Sequence, residues 1–176
     1  MILGMSTATF TLLHVVISLV GIGSGLVVMY GLCASKRLDR WTALFLVTTA
    51  ATSLTGFAFP NKHLTPGIIV GILSMIVLAI AIPARYAFHM RGLWRPVYIL
   101  SAALVLYFNV FVLVVQSFEK VSALHALAPT QKEPPFAITQ LIVLVAFVVA
   151  TVVAIRNFRL EATPVSASTP SEKRAA

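Results

Sequence analysis

The sequence predicts an all-α integral membrane protein whose five transmembrane helices form one bundle. Of its 176 residues, 59% are hydrophobic and only 10% are charged. A soluble domain of this size has too much surface to hide so many apolar side chains. Five apolar runs are each long enough to cross a hydrocarbon core of about 30 Å as a helix rising about 1.5 Å per residue. The natural solvent of the chain is therefore lipid.

We treat each apolar run as one span, because no run contains Asp, Glu, Lys or Arg. The spans cover residues 10–34, 41–59, 66–84, 96–117 and 137–155. Inside hydrocarbon an unpaired backbone amide costs several kcal/mol, so runs of this length must close their own hydrogen bonds as helices. The alternating pattern of a membrane β-strand is absent from all five runs.

Two of the connecting segments carry information about the fold. Residues 60–65 form a turn so short that the second and third spans must be antiparallel neighbours. By contrast, residues 118–136 form a long loop. Within it, the apolar residues Val121, Leu124 and Leu127 are spaced three residues apart. That spacing predicts a short helix lying on the membrane surface.

Proline residues occur in the segments before and after the fifth span. Pro134 and Pro135 predict a stiff, extended lead into that span. Residues 160–176 are small, polar and interrupted by proline, so they are expected to be a disordered cytoplasmic tail. Residues 1–159 then make up the five-helix transmembrane domain.

The distribution of basic residues predicts the orientation. Ten of the thirteen Lys and Arg residues fall on one side of the predicted membrane and three on the other. Short loops rich in Lys and Arg remain in the cytoplasm, so the amino terminus is expected outside and the carboxyl terminus in the cytoplasm. The net charge of +8 then faces anionic lipid headgroups, and no nucleic acid partner is required. The ten are Lys36, Arg37, Arg40, Arg85, Arg91, Arg95, Arg156, Arg159, Lys173 and Arg174; the three are Lys62, Lys120 and Lys132.

Small and polar residues at helical spacing predict which faces of the spans meet. Lipid tails are as apolar as leucine, so membrane helices associate through small residues and through polar side chains that prefer a protein partner. The predicted bundle-facing residues, in span order, are His14, Ser18, Gly21, Gly25; Thr48, Thr52, Thr55; Gly67, Gly71, Ser74; Tyr98, Ala102, Asn109, Gln116; and Gln140, Thr151.

Most of the polar members of this set lie within about 12 Å of the outer boundary at about 1.5 Å per residue. Polar groups inside a membrane commonly mark a site, so a pocket in this protein should open outward. The alternative is plain hydrogen bonding between helices. The predicted partner or ligand cluster is Ser18, Thr52, Thr55, Gln116 and His125.

Histidine on the outer side suggests a cofactor. Neutral imidazole offers a nitrogen lone pair without a charge to desolvate, which suits a ligand of haem or of a transition metal. The candidate residues near which a b-type haem or a quinone would be held are His14, Asn109 and Gln140. His14 and His63 are the candidate metal ligands. Against haem, His63 and His125 are expected in loops, whereas membrane cytochromes generally hold their ligands inside facing helices.

Enzymatic chemistry has little support in the sequence. It contains no Walker loop, no HExxH, no paired intramembrane aspartates and no usable Ser/His/Asp arrangement. The spans contain no acidic residue to carry protons or a coupled cation, which disfavours an ion-coupled transporter. Cys33, the single cysteine, is expected to be a packing residue. No catalytic residue is therefore predicted.

Three stretches carry a resemblance to a known group of proteins. LHALAPTQKEPPF (124–136), TGFAFP (55–60) and AIPARY (81–86) together resemble uncharacterised small integral membrane proteins of bacteria, whose outer loop reads similarly to ALAPTQxEPPF. The resemblance covers most of the chain. It implies a multi-pass protein of the bacterial inner membrane and supplies no catalytic residue.

The leading functional hypothesis is a non-catalytic membrane component that binds a partner protein or a small apolar ligand through its outer half and long loop. One alternative is a redox accessory subunit that holds haem or quinone. Another is a passive channel or permease for a small neutral solute. The expected partners are the lipid bilayer and a membrane protein or a second copy of the chain.

Overall fold

The computed structural model describes residues 4–59 and 65–159. These residues form six α-helices, and no β-strand occurs among them. The helices are α1 (Thr7–Cys33), α2 (Asp39–Phe57), α3 (Pro66–Tyr86), α4 (Trp94–Lys120), α5 (Ser122–Leu127) and α6 (Pro134–Asn157). Four of them, α1, α3, α4 and α6, are long and apolar enough to cross a membrane. The protein is thus an all-helical bundle with the character of a multi-pass membrane protein.

Each of the five predicted spans coincides with a long helix, and α5 occupies the position of the predicted surface helix. The extended lead predicted at Pro134 and Pro135 is wrong, because both residues lie in the first turn of α6. The first backbone N–H groups of a helix have no partner within it, so proline loses nothing there and its fixed φ suits the helix. Residues 60–64 of the predicted turn 60–65, and the predicted disordered tail, 160–176, lie outside the described residues.

Three segments rich in Lys and Arg, residues 35–40, 85–95 and 156–159, meet at one end of the bundle, here called the basic end. Asn157 donates from Nδ2 to the Cys33 carbonyl at 3.1 Å, and the Arg159 N–H donates to Ser35 Oγ at 3.1 Å. These bonds join the last turn of α6 to the end of α1. The end of α3 is joined to the start of α2 by an ion pair between Arg85 and Asp39. The opposite end, which carries α5, is called the far end.

Helix α4 lies at the centre of the bundle. It contacts α1, α3, α5 and α6, while α2 packs between α1 and α3. Close approach of α1 is made possible by Gly25: a methyl group there would lie 2.5 Å from Leu106 Cδ1 and 2.8 Å from the ring of Phe45. Helices α1, α2 and α4 therefore meet at this glycine.

The buried apolar core is concentrated in the basic half of the bundle. Its largest fully buried side chains include Phe45, Leu78, Leu106 and Phe158. Within the described residues, the buried apolar side chains of the far half are those of Phe10, Phe118 and Ala128. The helices are consequently sealed against one another near the basic end, whereas their far halves leave many side chains only half buried.

Candidate functional site

Helix α2 carries the polar row around which the candidate site is built. It is outside the set of four strongly apolar helices, and its sequence places threonine at 48, 49, 52 and 55. On a helix these positions lie on one broad face, which turns toward α1 and α4 in this bundle. The polar side chains therefore face protein rather than lipid.

His14 of α1 is hydrogen-bonded to Thr55 of α2, with 2.8 Å between Nδ1 and Oγ1. The Thr55 hydroxyl donates its single proton to the Ala51 carbonyl at 2.7 Å. With its proton directed to that carbonyl, the Thr55 oxygen accepts from His14, which favours a neutral His14 with its proton on Nδ1 and a lone pair on Nε2. This tautomer is inferred from the hydrogen-bond network.

Aromatic rings border this pair. Phe59 meets the His14 ring edge to face, with centroids 5.3 Å apart, and meets Phe10 in the same way at 5.1 Å. On the other side, Gly56 of α2 lies beside the ring: a methyl group there would make an ordinary contact of 3.7 Å with Cε1. His14 thus presents a polar ring, only half buried, within an apolar and aromatic wall at the far end.

Two further interhelical hydrogen bonds lie in the far half of α4. Asn109 donates from Nδ2 to Thr49 Oγ1 at 3.1 Å, and Gln140 of α6 donates from Nε2 to the Phe111 carbonyl at 3.3 Å. Thr52 Oγ1 and Gln140 Oε1 are buried and have no partner among the described residues. A buried polar atom without a partner costs free energy, so these two oxygens are places where a water or a ligand group would be stabilised.

The predicted site residues are therefore distributed over three helix contacts. His14 and Thr55 join α1 to α2, Asn109 joins α4 to α2, and Gln140 joins α6 to α4. Ser18 donates to the carbonyl of His14 in its own helix, at 2.7 Å. The structure brings His14 and Thr55 into direct contact and reports no direct contact among the three candidate cofactor residues.

The remaining candidates are placed differently. Gln116 near the end of α4 and His125 on α5 are exposed. His63, proposed with His14 as a metal pair, lies outside the described residues. In the part of the chain that the structure covers, no group of three or more His, Cys, Asp or Glu side chains is arranged to hold a metal ion.

A second polar group lies at the basic end and was missed by the sequence analysis. The sequence pattern places Arg85 in the connection after the third span, but α3 continues to Tyr86 and the Arg85 side chain is only 3% exposed. Its guanidinium pairs with Asp39, lies 5.2 Å from the ring centre of Tyr98 and donates to Met90 Sδ at 3.1 Å. A buried arginine in a membrane protein is expensive and needs such partners.

Two buried hydroxyl groups, those of Tyr98 and Thr42, lie near Arg85. The Tyr98 hydroxyl is fully buried and forms no well-aligned hydrogen bond within the described residues, although the buried Thr42 hydroxyl lies beside it. The signal in the sequence is Leu78, Ala81 and Arg85, which continue the buried face of α3 at helical spacing through its last turn. The rule that charged residues end a span concealed it.

The segment before α6 is held by Glu133 at the far end. Its carboxylate accepts from the Thr130 hydroxyl at 2.8 Å, from the Thr130 N–H at 3.2 Å and from the Lys132 N–H at 3.0 Å. These bonds favour the ionised form and hold the pKa of Glu133 below its ordinary value. The adjoining Gln131 donates to the Val115 carbonyl at 3.2 Å, which ties the loop to α4.

Compared with known proteins, the chain matches no family model, no curated protein and no solved structure.

Proposed function

We propose that the chain crosses the membrane five times, with α2 as the second crossing. Helix α2 has 19 residues, about 28 Å at about 1.5 Å per residue, which matches the thickness of hydrocarbon. Its first residue, Asp39, pairs with the end of α3, and Thr55 near its last turn pairs with the early part of α1. These contacts support an α2 that runs antiparallel to both neighbours over their length. Its polarity is offset because its polar face is turned to protein.

The proposed orientation has the amino terminus outside and the basic end in the cytoplasm of a bacterium, with the protein in the inner membrane. The gathering of three Arg- and Lys-containing segments at one end supports this orientation. Paired reporter fusions test it: a periplasm-active enzyme should report at the amino terminus and a cytoplasm-active enzyme at the carboxyl terminus. Activity of the same reporter at both ends would refute the five-span count.

We further propose that the protein is a non-catalytic component that binds a small apolar ligand through the far half of the bundle, which then faces outward. The observation that supports this most strongly is the His14–Thr55 pair within its aromatic wall. The unpartnered Thr52 hydroxyl lies one turn along the same helix from Thr55. A partner protein or a second copy of the chain is the competing occupant.

The chemistry of His14 specifies the ligand further. With Nδ1 donating to Thr55, the Nε2 lone pair accepts a hydrogen bond, so the favoured ligand carries a hydroxyl donor on an apolar body. Among the described residues no charged side chain forms a hydrogen bond or an ion pair with His14 or Thr55, and the nearby charge that acts on the His14 ring is the Lys120 ammonium, which disfavours a cationic ligand. A neutral ligand such as a long-chain phenol or a reduced quinone fits this environment.

A matched pair of probes tests the proposal. The full chain in nanodiscs is titrated with para-octylphenol and with its methyl ether para-octylanisole, which lacks the donor, and the Tm is followed. One neutral hydrogen bond is worth about 1 kcal/mol, so the phenol should bind about fivefold more tightly than the ether. His14→Phe should abolish the difference. Thr151→Val, which removes a hydroxyl that bonds only within α6, should preserve it.

Equal stabilisation by both probes, unchanged in His14→Phe, would contradict binding at this pair. Organic extraction of protein purified in mild detergent, followed by mass spectrometry, adds an unbiased search for a native ligand. Recovery of a stoichiometric protein partner in place of a small molecule would instead support the partner hypothesis.

A b-type haem is the second candidate function, favoured by the same hydrogen bond. Metal-ligating histidines usually donate their other ring nitrogen to a second residue, as His14 does to Thr55. His14 could therefore hold a haem iron through Nε2, and the described residues supply no second histidine in contact with it. An absorption spectrum of protein expressed with adequate haem tests this: a Soret band that His14→Ala removes is expected, and a spectrum without that band refutes it.

A further inference from the structure

The connection between α3 and α4, residues 87–93, has a fixed shape. Met90 is fully buried, its N–H donates to the Ala84 carbonyl at 3.0 Å, and its sulfur accepts from the buried Arg85. His89, Met90 and Gly92 all have positive φ, so the chain reverses sharply around the inserted methionine. Met90 therefore anchors the connection, and the backbone conformation turns the side chains on either side of it outward.

Three large apolar side chains are displayed in this way. Leu93 is 82% exposed, the most exposed large apolar side chain among the described residues, and Phe88 and Trp94 are 43% and 37% exposed. The rings of Phe88 and Trp94 stack with centroids 3.9 Å apart and an interplanar angle of 6°. We call Phe88, Leu93 and Trp94, together with Arg91, the interfacial loop. A cluster of this kind in water would cost free energy, so it requires a cover.

The charge of the interfacial loop indicates which kind of molecule covers its apolar side chains. Arg91 is exposed, and within residues 4–59 and 65–159 no carboxylate lies within ion-pair distance of it. The carboxylate of Asp39 is already shared between Arg37 and Arg85. Arg91 lies between the stacked rings in sequence, joined to both by backbone hydrogen bonds: its N–H donates to the Phe88 carbonyl and its carbonyl accepts from the Trp94 N–H. A guanidinium flanked by apolar side chains complements an anionic headgroup above acyl chains.

The level of the loop in the bundle favours lipid over a soluble protein partner. Helix α3 has 21 residues, about 31 Å at about 1.5 Å per residue, so its last residue lies at the edge of a hydrocarbon core of about 30 Å. At the same end Tyr30, Trp41 and Tyr86 are exposed by 63%, 45% and 50%. Exposed Trp and Tyr at one level form the aromatic belt of a membrane interface. The interfacial loop lies within that belt.

We propose that the interfacial loop is a binding site for the headgroup of an anionic phospholipid in the leaflet at the basic end. Arg91 contacts the phosphate, and Phe88, Leu93 and Trp94 insert between the first carbons of neighbouring acyl chains. The site lies at the opposite end of the bundle from the His14–Thr55 pair, so it does not depend on the ligand proposed there.

Fluorescence quenching tests the site directly, because the chain has two tryptophans. In a Trp41→Phe background, Trp94 reports on the loop alone. The protein is reconstituted in phosphatidylcholine vesicles containing brominated phosphatidylglycerol or, at the same mole fraction, brominated phosphatidylcholine. One basic residue at an anionic surface contributes about 1 kcal/mol, so the relative association constant at Trp94 should favour the anionic lipid about fivefold. Arg91→Gln should reduce this preference to about one, and Arg91→Lys should keep most of it.

The converse background, Trp94→Phe, provides the control. Trp41 lies beside Arg37 and Arg40 in the chain, so its quenching should be unchanged by Arg91→Gln if that substitution acts locally and the bundle remains folded. Two results would overturn the proposal: a preference at Trp94 that survives Arg91→Gln, or a Trp94 that brominated lipid does not quench. In the second case, protection of Trp94 from aqueous iodide as well would identify a protein as its cover.

Discussion

Replacement of Gly25 by alanine should destabilise the bundle, whereas the same change at Gly23 should not. The two glycines lie two residues apart in α1 and face opposite ways. A methyl group at Gly25 would lie 2.5 Å from Leu106 Cδ1 and 2.8 Å from two carbons of the Phe45 ring, while at Gly23 nothing lies within 4 Å. Real carbon atoms do not approach as closely as the first two distances, so Gly25→Ala must move a buried leucine and a buried phenylalanine.

The magnitude follows from how well those two neighbours can move. Phe45 is 0% exposed and Leu106 is 1% exposed, so neither has free space to enter. Overpacking of a filled core costs about 1–3 kcal/mol, and we expect Gly25→Ala to lower the free energy of unfolding by about that amount. Gly23→Ala should raise the free energy of unfolding slightly, by less than about 1 kcal/mol, because alanine restricts the unfolded chain more than glycine does.

Denaturant titration in mixed detergent micelles, with the two tryptophans as the signal, measures both variants under the same conditions. A third variant, Gly25→Ala with Leu106→Ala, tests the cause: the smaller side chain removes the closest contact, so the two changes together should cost less than the sum of their separate costs. Equal stability of Gly23→Ala and Gly25→Ala, or additive costs in the double variant, would refute close packing of α1 against α2 and α4.

Three further predictions concern polar contacts. Asp39→Ala should lower the free energy of unfolding by about 1–3 kcal/mol, because it removes the carboxylate partner of a buried guanidinium although Asp39 itself is largely exposed, whereas Arg85→Met should be nearly neutral, as titration in micelles would show; equal costs would contradict a buried Arg85. Asn109→Leu and Thr49→Val should each lower the free energy of unfolding by about 1 kcal/mol. A double-mutant cycle should find coupling between these two residues and none between Asn109 and Thr151. The depressed pKa of Glu133 means that its contribution to stability is present above its ordinary pKa and is lost as the pH falls through the lowered value; proteolysis of the loop before α6 should accelerate over that acidic range in the parent chain but not in Glu133→Gln.

The helical architecture could be predicted because the membrane leaves a long apolar run few alternatives: its amides must bond within the run. The boundaries of the helices are less predictable, because a charged residue is normally expected to end a membrane span. Arg85 violates that rule because Asp39, Tyr98 and Met90 surround it. Pro134 violates the corresponding rule for proline because the first turn of a helix needs no donor.

The contacts of the candidate site were not predictable from one sequence. Helical spacing indicates which side chains share a face, but the order of helices in the bundle decides which faces meet. That His14 meets Thr55, while Asn109 meets Thr49, depends on α2 lying between α1 and α3 and on α4 lying at the centre. The concentration of the apolar core in the basic half is likewise a property of the assembled helices.

We rely most on the proposal that the far half of the bundle faces outward, with its polar side chains between the helices and its apolar side chains toward lipid. Ser18 and Leu19 have the same depth in α1, but Ser18 is half buried and Leu19 is 50% exposed on the outer surface. In a Cys33→Ala background, Ser18→Cys and Leu19→Cys are treated in intact cells with a membrane-impermeant maleimide. We predict labelling at 18 and little at 19, because thiols react from water and not from lipid. Faster labelling at 19, or labelling at 18 only from the cytoplasmic side of inverted vesicles, would contradict this proposal.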